Sequence, residues 1–219
     1  MDYRLLPVVS LLCNLAVVSG GSIRFARARL TPWRGALTLT AIAAPAALLG
    51  GLTPIREQVF MMLLGASLCL AGAMLLLPKR EAGEAVAGRA SGRGGRGGRA
   101  VLLAAAPLGY LAGIVGIGGG IFLAPLLHLV RWDTPRAIAA TASLFILVNS
   151  LFGLVGQLGK SGFGMLGAAA NTGLPLMIAV VIGGQIGSLF AVRLFKPKVI
   201  AWLTAALTLF VGVRLVVGV

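Results

Sequence analysis

The residues of this chain best able to bind or move a ligand are uncharged. From 113 to 125 the sequence runs Gly-Ile-Val-Gly-Ile-Gly-Gly-Gly-Ile-Phe-Leu-Ala-Pro, which places Gly116, Gly118, Gly119, Gly120, Ile121 and Pro125 inside an apolar stretch reaching from 101 to 130. Glycine permits left-handed backbone and the close approach of a ligand. A helix restarting near Ile121 would leave its first N–H groups without intrahelical acceptors, and its dipole adds roughly half a positive charge there. Together these favour an anion. The same spacing also serves close helix packing through small residues, and the residues alone leave both readings open. A soluble dinucleotide site is excluded, because no amphipathic strand–helix–strand unit surrounds the glycines.

Four other polar residues, Asn14, Thr141, Ser143 and Asn149, lie within apolar runs. They either line a path or bond between helices. His128, the one histidine, is open to a proton-carrying or a structural role. The five acids, Asp2, Glu57, Glu81, Glu84 and Asp133, all fall near the terminus or between apolar runs. A carboxylate proton relay or a bound metal cation fits that inventory poorly, and an anion fits it better. No acid–base pair, nucleophile–histidine set or metal cluster is visible, so no catalysis and no cofactor are expected. Cys13 and Cys69 read as small buried hydrophobes.

The elements that must position these groups follow from composition. Of 219 residues, 58% are hydrophobic and only 11% charged, where a soluble domain carries about 25% charged residues. The apolar residues come in long blocks, which excludes both a soluble core and the short alternating strands of an outer-membrane barrel. The expected fold is an all-α polytopic membrane protein embedded in a lipid bilayer. Spans are predicted at 5–23, 35–52, 59–77, 137–158, roughly 174–192 and 199–218. As one helix, 101–130 would be about 45 Å long, against a hydrocarbon core of about 30 Å. It must therefore tilt severely, protrude or fold back.

Charge selects folding back. The net charge of +14 sits mostly between the spans, and basic loops stay in the cytoplasm. Arg24, Arg27, Arg29 and Arg34 mark one such loop, the stretch 78–100 a second, and Arg193, Lys196 and Lys198 a third. All three share a side only if 101–130 enters and leaves from that side, as a re-entrant hairpin or two half-helices with its tip at Gly116–Gly120.

The order of spans repeats at 5–77 and 137–218 with reversed loop charge, the mark of an inverted-topology repeat. The expected organisation is a first transmembrane repeat at 1–78, a disordered basic cytoplasmic linker at 79–100, and a second repeat at 101–219. Within the linker, Arg89 to Arg99 resembles an Arg-Gly-Gly nucleic-acid tract. It has no interleaved aromatics, so no nucleic-acid partner is expected. Gly109, Gly113, Gly183, Gly184 and Gly187 are expected to serve helix packing.

The glycine-rich run with Pro125-Leu-Leu, followed by Thr141-Ala-Ser143 and Asn149-Ser150, resembles the second repeat of the sulfite exporter TauE/SafE permease family. Residues 5–77, including Leu12 to Phe25, resemble the later part of its first repeat. The resemblance implies a multi-pass permease of the cell inner membrane that exports sulfite, sulfoacetate or related organosulfonates. It also implies that Gly116, Gly118, Gly119, Gly120 and Pro125 flank the substrate path. Members usually open each repeat with a glycine-rich segment, and this sequence starts after the place of the first, so the expectation is either a misassigned start that leaves a fragment or a short form that completes its path through a homodimer. The expected function is a secondary carrier binding a small sulfur oxyanion at Gly118–Ile121, with Thr141, Ser143, Asn149 and Asn14 completing the cradle. The alternative is a non-transporting scaffold or subunit of a larger transport complex.

Overall fold

A computed structural model describes residues 5–76, 96–130, 132–162, 164–194 and 197–218, and among the described residues every regular element is a helix. In chain order these are α1 (Leu5–Arg27), α2 (Trp33–Leu52), α3 (Glu57–Leu76), α4 (Arg96–Val115), α5 (Gly120–Leu129), α6 (Pro135–Ser161), α7 (Gly164–Leu194) and α8 (Pro197–Val217). Five of them, α1 to α4 and α6, hold stretches long and apolar enough to cross a bilayer. The predicted spans at 5–23, 35–52, 59–77 and 137–158 are present as α1, α2, α3 and α6.

The chain forms two compact units that interleave along the sequence. The first comprises Met1–Thr53 with Lys79–Met177, and the second Pro54–Pro78 with Ile178–Val219. In the first unit α2 lies against α4 and α6, α1 lies against α6, and α5 contacts both α4 and α6. Small residues set these distances. A Cβ on Gly109 would overlap the Ala43 carbonyl, and one on Gly113 the Ala47 carbonyl, so α2 and α4 run parallel in near contact. Leu48 meets Gly156 and Leu52 meets Gly159, which makes α6 parallel to α2 as well. Along α1, Ser22 meets Ser143 and Leu11 meets Gly153, so α1 is antiparallel to α6.

Two apolar clusters fill this unit. Leu39, Ala43, Val101, Ala105, Leu123, Leu127, Ile138 and Phe145 join α2, α4, α5 and α6. Val8, Val9 and Leu11 of α1 pack with Leu154 and Leu158 of α6 and Ala169 of α7. In the second unit α3 and α8 are antiparallel: Gly65 meets Val216, Cys69 meets Gly212, and Gly72 meets Leu209.

Helix ends follow local chemistry. Arg29 takes a left-handed φ of 54° after α1, and Leu30 N–H bonds back to the Phe25 carbonyl, a Schellman closure. Thr134 caps α6 by accepting from Ala137 N–H, with Pro135 at the first helical position.

Three sequence expectations need correction. Arg96–Arg99, predicted as disordered linker, form the first turn of α4, which is anchored by the fully buried Val101 and Ala105 just beyond; residues 79–95 of that linker lie outside the described residues. The helix predicted from about 174 begins at Gly164, because the alanine-rich run before Gly173 continues it. Gly183 and Gly184, expected to pack against a neighbour, have nothing within 4 Å of an added Cβ.

Candidate functional site

The break in the 101–130 stretch falls where its glycines stand. α4 ends at Val115, residues 116–119 turn, and α5 starts at Gly120. Gly116, Gly118 and Gly119 all take left-handed φ values, 79°, 78° and 74°. An L-residue with a side chain pays roughly 1–2 kcal/mol for that conformation, so three in four residues confine the turn to glycine. Chain space enforces the same identity. A Cβ on Gly116 would lie 2.7 Å from the Pro7 Cα, and one on Gly120 would overlap the Ile146 side chain. The turn sends α5 back along α4: Gly119 packs beside Ala112 and the Leu108 carbonyl, and Leu123 and Leu127 share a core with Val101 and Ala105. This is the folding back predicted from the sequence, with α4 long enough to cross a bilayer and the shorter α5 returning along it.

The carbonyl end of α4 is covered by donors from two other helices. Ser10 Oγ of α1 donates to the Gly116 carbonyl at 2.8 Å and Asn14 Nδ2 to the same oxygen at 3.3 Å. From α6, Gln157 Nε2 donates to the Gly113 carbonyl at 3.0 Å and reaches the Ile114 carbonyl at 3.4 Å. Backbone carbonyls freed by a break must be satisfied inside a bilayer, and these side chains do it. The amide end of α5 is different. Its N-cap is Gly119, which offers no side-chain cap. Phe122 N–H and Leu123 N–H turn back to the Gly119 carbonyl, while Gly120 and Ile121 hold the positions whose N–H groups a helix start leaves without an intrahelical acceptor.

Beside that end lies an open groove of about 460 Å³. Asn14 and Val18 of α1 form one wall, Ser143 and Ile146 of α6 another, and Ile117, Gly120 and Ile121 the floor. The lining is mainly apolar, with no charged side chain among its residues. Its two polar side chains are Asn14 and Ser143, and Ser143 Oγ is 2.9 Å from Ser22 Oγ. A neutral groove ending on a helix N-terminus presents a weakly positive, low-dielectric surface, suited to an anion.

Of the sequence-predicted residues, the structure brings Asn14, Gly120, Ile121 and Ser143 together around this groove, with Gly116, Gly118 and Gly119 forming the turn at its base. It does not bring the rest there. Thr141 is fully buried and donates to the Ala137 carbonyl of its own helix at 2.9 Å. Pro125 is half-buried on α5, next to the lining residue Ala124 but outside the lining itself. Asn149 is completely buried on α6, and neither its Oδ1 nor its Nδ2 has a hydrogen-bond partner. His128 sits in the last turn of α5, away from the groove.

Three polar residues that sequence reasoning did not single out take part, Ser10, Ser22 and Gln157, along with Ser150, which the sequence offered only within the Asn149-Ser150 motif. Ser150 is fully buried with an unpartnered Oγ. A signal was present, since Ser143, Ser150 and Gln157 recur every seven residues and so share one helix face.

Helices long and apolar enough to cross a bilayer make this a polytopic membrane protein, and the family its sequence matches makes it a membrane transporter. The chain belongs to the sulfite exporter TauE/SafE family, whose model matches residues 2–215. It is 28% identical over 219 aligned residues to the probable membrane transporter protein y4hK of Sinorhizobium fredii, covering 94% of this chain and 80% of that protein. A shorter match, 30% identical over 74 residues, links 34% of the chain to 27% of the probable membrane transporter protein MJ0441 of Methanocaldococcus jannaschii. No solved structure matches the chain at a significant level.

Proposed function

We propose that the protein is a secondary carrier of the cell inner membrane that exports a small sulfur oxyanion, sulfite or an organosulfonate, bound where α5 begins. The observation carrying this reading is the groove itself: Gly120 and Ile121, at the uncapped start of α5, line a cavity that holds no carboxylate and offers Asn14 and Ser143 as hydrogen-bond donors. The family description supplies the sulfur anion. Alternating exposure is supported by helix pairing. The helices that correspond in the proposed repeats, α1 with α6 and α3 with α8, each pack antiparallel, as an inverted repeat demands.

The test is sulfite flux in proteoliposomes containing the purified full chain. Saturable flux above that of empty liposomes is expected. Asn14→Ala removes a donor to a charged ligand, worth about 1.5–3 kcal/mol, so flux at low substrate falls about tenfold or more. Unchanged flux in a folded Gly119→Leu variant overturns this placement of the site. The scaffold reading predicts no flux from the purified chain together with a protein partner that stays bound through purification.

A further inference from the structure

Of the five buried polar residues among the described residues of α6, three lie along a single line. Ser143, Ser150 and Gln157 are seven residues apart, so they share a face and extend over about 21 Å of helix, against a hydrocarbon core of about 30 Å. The antiparallel α1 meets this line with polar groups of its own. Ser22 Oγ is 2.9 Å from Ser143 Oγ at one end. In the middle, a Cβ on Gly118 would stand 2.9 Å from Ser150 Oγ and 3.2 Å from Asn14 Nδ2, so glycine alone separates the two helices there. At the other end, Ser10 and Gln157 donate to the Gly116 and Gly113 carbonyls.

Polar side chains inside a bilayer are costly, and interhelical hydrogen bonding explains those that have partners. It does not explain the middle of the line. Asn149 and Ser150 are 0% exposed, and their side-chain polar atoms have no partner. Both side chains can donate hydrogen bonds; Ser150 stands against Gly118 of the turn at the base of the groove, and Asn149 is the adjacent residue of α6, about 100° around the helix from it.

We propose that the oxyanion leaves the groove past Gly118 and crosses along the α1–α6 seam, with Ser150 as the next hydrogen-bonding position and Gln157 the last. Gly118 is the gate: it has no side chain, and the turn need shift only enough to part Asn14 from Ser150. This inference rests on the anion-carrier reading and adds the route and the residues that line it.

The test is thiol accessibility in the full chain with Cys13→Ala and Cys69→Ala, reconstituted in liposomes. Single cysteines replace Ser143, Ser150 and Gln157 on the seam, and Leu151 and Val155, exposed on another face of α6, serve as controls. The reagent is 2-sulfonatoethyl methanethiosulfonate, itself a small organosulfonate. Only a thiolate reacts, and thiolates form in a wetted path but not in hydrocarbon, so the seam positions should react about tenfold or more faster than the controls. Isethionate should slow the reaction at Ser150→Cys. If Ser150→Cys fails to fold, Gln157→Cys decides the matter, since it lies beyond the gate. Sulfite flux in the cysteine-free background with control-level reaction at 150 and 157 overturns the seam and leaves the carrier reading standing. Fast reaction at those positions without flux overturns the carrier reading instead.

Discussion

Gln157 shows how little of this site depends on charge. Its amide is 2% exposed and holds the Gly113 carbonyl at the end of α4. Gln157→Leu keeps the volume but leaves that carbonyl unsatisfied in low dielectric. A loss of about 1 kcal/mol is expected, since intramembrane hydrogen bonds average below the 1–3 kcal/mol cost of a buried orphan in soluble proteins; denaturant unfolding in detergent micelles measures it. Ser143→Asp tests electrostatics rather than stability. A carboxylate on the groove wall repels an anion from the α5 terminus, so sulfite flux should fall steeply while Ser143→Asn, neutral and able to donate, retains most of it. At this scale the sequence was partly legible. Asn14 and Ser143 stood out as polar residues in apolar runs, and both line the groove. Thr141 stood out for the same reason and yet bonds to its own helix at Ala137, the usual fate of an intrahelical hydroxyl. Ser10 and Gln157 went unread because their partners are carbonyls freed by a break more than forty residues away in sequence, which no local pattern reveals.

Among the elements, the α4–α5 hairpin was the most legible: a stretch too long for the bilayer had to tilt, protrude or fold back, the loop charge selected folding back, and the glycine run marked the turn. What the sequence did not show is that α2 is the fixed post of the first unit. Gly109 and Gly113 of α4 close on Ala43 and Ala47, while Gly51 of α2 closes on Gly153 of α6. With backbone against backbone at both faces, α2 cannot translate without rupturing these contacts. Gly113→Val should therefore prevent folding, because its side chain meets the Ala47 carbonyl, which cannot yield. Gly20→Val, on α1 with nothing within 4 Å of its Cβ, should fold normally. Size-exclusion profiles of the two fluorescently tagged variants in mild detergent compare them directly, and a monodisperse Gly113→Val peak would show that the α2–α4 contact is dispensable.

For the molecule as a whole, charge and topology converge on one orientation. Because α2 and α6 are parallel and α1 opposes them, Arg24 and Arg27 at the end of α1, Arg34 at the start of α2 and Arg136 at the start of α6 all gather at one end of the first unit. At the opposite end Lys160 Nζ is 3.3 Å from the Thr53 carbonyl, and the adjoining Arg56 and Glu57 cancel. The positive-inside bias assigns the basic end to the cytoplasm. The groove then lies on the cytoplasmic side of the glycine turn, since its walls run from Asn14 toward Val18 on α1 and from Ile146 toward Ser143 on α6. On the proposed carrier reading the groove opens toward the cytoplasm, at the end of the unit where Arg24, Arg27, Arg34 and Arg136 gather and raise the local anion concentration. The orientation is measured with an impermeant maleimide on intact cells, using the Cys13→Ala, Cys69→Ala background. Pro54→Cys should label from outside, while Ala28→Cys and Lys198→Cys should label only after permeabilisation. Lys198→Cys is the sharper probe. The returning hairpin makes the number of crossings between Ala28 and Lys198 even, so external labelling there would mean that α4 and α5 cross as one; external labelling at Ala28 would turn the groove to the other side.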